Sequence, residues 1–298
     1  MSMSDSQVSA YTHLYYNFKT SLKTNMSQKV FVVTGANKGI GYGIVRGLAE
    51  KLSAIIYLTA RNVSLGQDAL KKVNAELGDK NQSDIRFHQL DITDDNSCKS
   101  FADYLKKEHD GIDVLINNAG FAFKGDATES AFEQADVTIG INYYGTKTVS
   151  KHLVPLIRSG GRVVNVCSRA GIMTNLYSDE HINKFKSFNY TEADIDNFVE
   201  QYKKAAKEDN RKEKGFPESA YRVSKAAEIA FSLLQSAQLS SKNIIVNACC
   251  PGYVDTDMTS HKGPLTIAEG ADTEIYLATD PNAPNGKFVA EREIKEWL

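Results

Sequence analysis

Val30-Phe31-Val32-Val33-Thr34-Gly35-Ala36-Asn37-Lys38-Gly39-Ile40-Gly41 is the stretch on which the fold of this chain turns. Four apolar residues, three of them β-branched, run straight into a glycine turn, and an amphipathic stretch from Tyr42 to Leu52 follows. Strand, glycine turn and helix start, in that order, make the βα unit that cradles a phosphate. Glycines let the backbone approach a pyrophosphate closely, and a helix N-terminus offers free N–H groups with partial positive charge. Glycines also mark ordinary turns, so the stretch alone leaves both readings open.

Apolar, β-branched segments recur outward from it, at 55–59, 85–90, 113–116, 162–167, 244–249 and 286–289. Helical patterns lie between them, such as Leu65, Ala69, Leu70, Val73 and Leu77, then Phe101, Tyr104 and Leu105. This alternation predicts the α/β class, with a Rossmann-type doubly wound parallel sheet and helices on both faces. No repeat or low-complexity linker interrupts it, which predicts one domain over 26–298. In such sheets ligands sit outside the carboxyl ends of the strands.

Two regions depart from the rhythm. Residues 1–25 are Ser/Thr-rich with scattered aromatics and lack a glycine turn, an arginine or an apolar core; they read as a loosely held N-terminal extension, not a transit or secretory signal. Met26, just before the first strand, is a candidate internal start. Residues 171–217 are densely charged, yet Ile195, Phe198, Val199, Tyr202 and Ala206 fall on one helical face behind the cap-like Thr191-Glu192-Ala193-Asp194. A helical insertion before Tyr221 is predicted, its charges forming a solvated face.

Composition excludes several classes. With 298 residues, 42% hydrophobic content and a net charge of −2, the chain can bury a large core but has no basic excess for nucleic acid. Its four cysteines form no CxxC and its six histidines no HxxxH, so no metal site is expected. Few cysteines without a framework fit a reducing compartment, and no apolar run approaches the ~20 residues that span a bilayer. A cytoplasmic protein without membrane attachment is the expectation.

Tyr221-Arg222-Val223-Ser224-Lys225 places a tyrosine and a lysine one helical turn apart on one face. A free phenol, with a pKa of about 10, exchanges protons poorly near neutrality; an adjacent ammonium favours the phenolate and lowers that value. Isolated YxxxK pairs also occur by chance on helix surfaces. Ser168 follows the strand Val163-Val164-Asn165-Val166-Cys167, where a hydroxyl is placed either to meet a substrate oxygen or to cap a turn. Asn117-Asn118-Ala119-Gly120 ends another strand, and Asn142 lies in a helical stretch.

Taken in order, the strand–TGxxxGIG–helix start, NNAG, the strand-end serine, YxxxK and Pro251-Gly252 resemble the short-chain dehydrogenase/reductase family over about residues 28–298. The resemblance implies a catalytic tetrad of Asn142, Ser168, Tyr221 and Lys225. Tyr221 would protonate the substrate oxygen and Ser168 would hold it. Lys225 would bind the nicotinamide ribose and depress the tyrosine pKa, while Asn142 would join Lys225, through water, to a proton relay. The implied cofactor contacts are Gly35, Asn37, Lys38, Gly39, Ile40 and Gly41 in the glycine turn, then Arg61, Leu90, Asp91 and Asn118. Tyr221, Lys225, Pro251, Gly252, Val254, Asp255 and Thr256 complete them.

Asn37-Lys38, Leu58-Thr59-Ala60-Arg61, Phe87-His88-Gln89-Leu90-Asp91-Ile92 and Asn247-Ala248-Cys249-Cys250-Pro251-Gly252 look like the carbonyl reductase branch, as does the long gap of 53 positions from Ser168 to Tyr221. That branch is similar to a largely monomeric, NADPH-dependent reductase of ketones, aldehydes and quinones that transfers the pro-S hydride. Charge supports the NADPH/NADP+ assignment separately. After the second strand, where an NAD enzyme places an acid for the ribose 2′-OH, this chain has Arg61, with Lys38 nearby to suit a 2′-phosphate. Substrate contacts are expected from Ser168, Tyr221, Phe123 and Tyr253, with Phe121 and the insertion also walling the pocket. Cys167, Tyr253 and Asp255 depart from the branch's usual residues and leave the substrate open. Cys249 and Cys250 are expected near the cofactor, inert if buried and redox-sensitive if reactive. Oxidation of a terpenoid or steroid alcohol is the alternative activity, and NADPH sensing without turnover the alternative class. Because the insertion precedes the YxxxK helix, its apolar face is expected to cover the family's usual dimer surface and leave a monomer.

Overall fold

The computed structural model describes residues 28–298; the expectations for residues 1–25 and Met26 lie outside them. Eight strands form one sheet in the order β3-β2-β1-β4-β5-β6-β7-β8. They are β1 (Val30–Val33), β2 (Ile55–Ala60), β3 (Asp84–Gln89), β4 (Ile112–Asn117), β5 (Ile157–Val166), β6 (Ile245–Cys250), β7 (Phe288–Ala290) and β8 (Glu293–Ile294). All neighbours pair in parallel except the short edge pair β7/β8.

The continuous apolar runs are explained by burial on both faces of the sheet. Val30 and Val32 point to one side with Tyr57, Leu115 and Val163; Phe31 and Val33 point to the other with Ile56, Leu58 and Ile116. Helices α1 (Gly39–Lys51), α2 (Val63–Leu77) and, near the chain end, α10 (Asp272–Thr279) cover the second side. Helices α3 (Asp95–His109) and α5 (Thr146–Leu153) cover the first. Starts are set by side-chain caps where the sequence supplies them: Asn62 accepts from the Leu65 N–H and Asp94 from that of Asn96. The first helix has no such cap. Lys38 stands there in extended conformation, so the first N–H groups of α1 are left for something else.

The insertion contains α6 (Asp179–Lys186) and α7 (Glu192–Lys207). Thr191 and Asp194 form a capping box, as the sequence predicts, and Ile195, Phe198, Val199, Tyr202 and Ala206 are all buried. They join one apolar cluster with α4 (Ala131–Ile139) and α8 (Ala220–Leu239), the helix that carries the YxxxK motif. The charged face of α7 is less purely solvated than expected: Lys203 reaches Asp136 of α4 at 2.8 Å, and Asp196 binds Lys147 of α5 at 2.7 Å. The remaining helix, α9 (Ile267–Gly270), sits against α1. Among the described residues no helix is long and apolar enough to cross a membrane.

Candidate active site

The carboxyl ends of the strands open into a cleft of about 400 Å³. Its outer part is built by the glycine turn. Thr34, buried at the end of β1, accepts the N–H groups of Asn118 and Ala119 on its hydroxyl, both at 2.9 Å. Asn118 returns its side-chain amide to the Thr34 carbonyl at 2.9 Å. The turns after β1 and β4 are thereby stitched together. Gly35 has φ of +61°, and a Cβ there would stand 2.8 Å from the Ala119 Cα; a Cβ on Gly41 would stand 2.4 Å from the Asn118 amide nitrogen. Gly35, Asn37, Lys38, Gly39 and Ile40 line the cleft, whereas Gly41 lies behind them and allows the close packing. The uncapped N-terminus of α1 thus faces a space walled by backbone.

Arg61, exposed just after β2, lines the same space and has no ion pair among the described residues. Lys38 does not stand free beside it. Its ammonium lies 2.7 Å from Asp257, which also faces His261, and His261 in turn bonds Asp255 at 2.6 Å. The hydrogen bond to Asp255 holds the His261 pKa above its usual value. These charges form an exposed network from the glycine turn to the loop after β6, so of two unpaired cations expected from sequence, one is already engaged. Leu90, Asp91, Asn118, Pro251, Asp255 and Thr256 line the cleft as expected. Gly252 and Val254 do not: Gly252 turns the chain at φ +84°, and Val254 is buried against Gly270.

The inner part is carried by α8. Ser219 caps its first turn by accepting the Arg222 N–H, which starts the helix so that Tyr221 and Lys225 both face the cleft. The Lys225 ammonium is 5.7 Å from the Tyr221 ring centre. It donates to the Val166 carbonyl at the end of β5, at 2.9 Å, and pairs with Glu228 at 2.7 Å. Ser168 lies two residues beyond the end of β5; the turn-capping reading holds, and the cleft wall beside it is made by Val166, Cys167 and Tyr221, not by Ser168. Its hydroxyl accepts the Ala170 N–H at 3.1 Å, capping a short 3₁₀ turn.

Asn142 sits in a π-helical turn, Gly140–Gly145, between α4 and α5. Its side chain grips the backbone of Phe121, accepting the N–H at 2.7 Å and donating to the carbonyl at 2.9 Å, and it also donates to Ser224 of α8 at 2.9 Å. The asparagine therefore ties the loop after β4 to the helix that bears Tyr221 and Lys225. No direct bond joins it to Lys225.

Electrostatics at Tyr221 include the expected pull of Lys225 and two opposing effects. Burial pushes the Tyr221 pKa above its usual value; Lys225 and Ser168 pull it down, but Glu228 pushes the same way as burial, and the net shift is upward. The lysine alone would have lowered it. Three further expectations change. Phe123 packs edge-on against Phe121 and does not line the cleft, Tyr253 is half exposed outside it, and no residue of 171–217 contributes to its wall. All four cysteines are free and buried; burial raises the Cys167 and Cys249 thiols well above their usual range, so neither is a reactive thiolate. Sequence reasoning missed Thr34, Asp257, His261 and Glu228. Only Glu228 carried a readable signal, standing three positions after Lys225 and seven after Tyr221 on one helical face.

The family model described as short chain dehydrogenase matches residues 29–178 and 210–264. The chain belongs to the short-chain dehydrogenase family. The unmatched stretch between the two blocks contains α6 and α7, so the helical pair interrupts the common pattern where the sequence rhythm breaks. This short-chain dehydrogenase is 40% identical over 276 residues to carbonyl reductase [NADPH] 1 of Homo sapiens, covering 90% of this chain and 98% of that one. It is 38% identical to carbonyl reductase [NADPH] 3 of Rattus norvegicus, with coverages of 90% and 98%. Among solved structures it is similar to salutaridine reductase from Papaver somniferum, at TM-score 0.78 and 29% identity over 88% of this chain and 99% of that one. Menthone neomenthol reductase from Mentha piperita gives TM-score 0.76 and 29% identity, covering 89% and 99%.

Proposed function

We propose that this short-chain dehydrogenase is an NADPH-dependent carbonyl reductase that converts ketones, aldehydes and quinones to alcohols. The observation that carries the reading is one continuous cleft with two chemically distinct ends. The outer end combines a backbone-walled glycine turn, an uncapped helix N-terminus and Arg61; the inner end holds Tyr221 and Lys225 beside Cys167, which immediately precedes Ser168. A dinucleotide phosphate fits the outer end on its own terms, because a Cβ on Gly35 or Gly41 would disrupt the packed turn that frames the space. Arg61 replaces the acid that would favour an unphosphorylated ribose, and its planar fork suits a 2′-phosphate.

When bound, NADPH supplies the hydride that reduces the carbonyl carbon. The residues of the chain do the rest. Tyr221 keeps its proton on the phenolic oxygen and releases it to the substrate oxygen as negative charge develops there. Ser168 donates a hydrogen bond to that same oxygen. Lys225 donates one N–H to Val166, is held by the Glu228 carboxylate as an ion pair, and keeps its ammonium near the tyrosine ring, where the ribose is expected. Asn142 holds the Phe121 loop and α8 in register, which makes it a positioning residue in this reading.

The likeness to menthone neomenthol reductase favours a cyclic terpenoid ketone as a second substrate class, with the reverse oxidation of the alcohol as its counterpart. α7 packs on α8, the YxxxK helix and one of the two through which family members are expected to pair, and this supports a monomer. Four buried free thiols fit a reducing compartment such as the cytoplasm. NADPH consumption measured against an aromatic quinone, a diketone, a simple aldehyde and a cyclic terpenoid ketone tests the reading. Turnover with at least one is expected; NADPH binding without turnover on any of them would point to a sensor instead.

A further inference from the structure

Glu228 is out of place by every composition rule. It lies on α8 with 1% of its side chain exposed, between the core residues Ala227 and Ile229, where a glutamate is almost never found unless paired. Its one ionic partner among the described residues is Lys225, at 2.7 Å, itself 5% exposed. The other carboxylate oxygen lies 3.5 Å from the Thr146 hydroxyl of α5, at the limit of a hydrogen bond. A buried ion pair is weak support for stability as such, because an apolar pair of equal volume generally does as well. Its placement is what matters: the ammonium that Glu228 binds is the one facing the ring of Tyr221.

We propose that Glu228 is a positioning residue that acts through Lys225: its carboxylate anchors the ammonium and offsets part of its field at the Tyr221 hydroxyl, so that the tyrosine keeps into alkaline solution the proton that carbonyl reduction consumes. The inference rests on the reductase reading and deepens it. A lone lysine beside the tyrosine favours the phenolate, the form that accepts a proton from an alcohol. Burial raises the Glu228 pKa to about 7, so in alkaline solution, where the tyrosine titrates, the acid is ionised; the lysine paired with it then presents a nearly neutral couple and leaves the phenol as the stable form. A donor for carbonyl reduction must be the phenol. The shift that burial and Glu228 impose on Tyr221 is in that direction, against the pull of Lys225 and Ser168.

Other groups around the couple do not change its sign. Cys167 after β5 and Cys250 at the end of β6 are the titratable side chains that also act on Lys225 and Tyr221, and both are buried. From α5 only the Thr146 hydroxyl reaches Glu228. The π-helical turn contributes Tyr143, whose hydroxyl donates to Asp196 of α7, and that carboxylate is already neutralised by Lys147. Lys225 is therefore the cation that Glu228 answers.

The test compares wild type, Glu228→Gln and Glu228→Asp by two readouts. One is the alkaline limb of the pH profile of kcat/KM for NADPH-driven reduction. The other is the ultraviolet difference titration of tyrosinate in the protein without cofactor, with Tyr221→Phe identifying the Tyr221 component. In Glu228→Gln both should move to lower pH, by about one unit or more. Glu228→Asp keeps the charge but withdraws it by one methylene, and should shift less in the same direction. If Glu228→Gln does not fold, Glu228→Asp decides by the same criterion. Unmoved titration in a folded variant overturns the assignment while leaving the reductase reading intact. A shifted tyrosinate titration in a protein that reduces no carbonyl overturns the reductase reading and upholds the electrostatic coupling.

Discussion

The two ends of the cleft use the same kinds of charge in opposite surroundings. At the outer end Lys38, Asp257, His261 and Asp255 form a chain of ion pairs in which every member is more than half exposed. At the inner end Lys225 and Glu228 form one pair sealed from water. In the exposed network water and salt screen each charge, so partners exchange at little cost and a ligand can enter by displacing them. In the buried pair neither charge can be removed without stranding the other, so the arrangement is fixed before any ligand arrives. One end is built to be rearranged by binding and the other to stay unchanged during chemistry.

Mutations should expose that asymmetry, most strongly at the inner end. Tyr221→Phe removes the proton donor and nothing else that the fold requires; carbonyl reduction should fall by about 10²–10⁴-fold, with NADPH affinity in a fluorescence titration nearly unchanged. Lys225→Met leaves Glu228 buried without its cation, and should cost about 3–5 kcal/mol in urea unfolding besides abolishing turnover. The double variant Lys225→Met with Glu228→Leu should regain most of that stability and none of the activity, which separates the pair's structural cost from its chemical role.

At the outer end the effects should be smaller and should fall on binding. Arg61→Asp replaces attraction for a 2′-phosphate by repulsion; the lost charge-assisted bond corresponds to about 1.5–3 kcal/mol, so NADPH Kd should rise at least tenfold while NADH Kd changes little. An equal loss for both cofactors would place Arg61 away from the phosphate. Asp257→Asn releases Lys38 into the cleft. NADPH affinity should then improve by less than about fivefold at low ionic strength, and the gain should vanish in high salt. A gain that survives high salt would mean that the network is less exposed in solution than described.

Legibility from sequence followed the same division. The strands, the glycine turn and the tyrosine–lysine spacing were readable because each is local: a run of apolar residues, a turn that only glycine suits, one turn of helix. The insertion was readable too, since the face of Ile195, Phe198, Val199 and Tyr202 demanded a cover, and α4 and α8 supply it. What sequence could not convey is distance across the fold. Lys38 and Asp257 meet although 219 positions apart, so Lys38 looked free. Phe123 and Tyr253 were expected in the pocket, but Phe123 packs edge-on against Phe121 and Tyr253 stands half exposed outside the cleft. The role of Asn142 as a clamp on Phe121 depends on the π-helical turn, and the sequence read only as helix there. The net direction of the Tyr221 shift was hidden for a subtler reason. A lysine one turn away is visible in sequence, but whether a buried acid offsets its field depends on how deep Glu228 lies.

The most direct measurement is the steady-state rate of NADPH and of NADH oxidation by the wild-type protein with an aromatic quinone, beside Tyr221→Phe under the same conditions. The account predicts turnover with NADPH, a kcat/KM at least tenfold lower with NADH, and loss of nearly all NADPH turnover in the variant. Equal use of the two cofactors, or a Tyr221→Phe protein that retains a tenth or more of the wild-type rate, would contradict it.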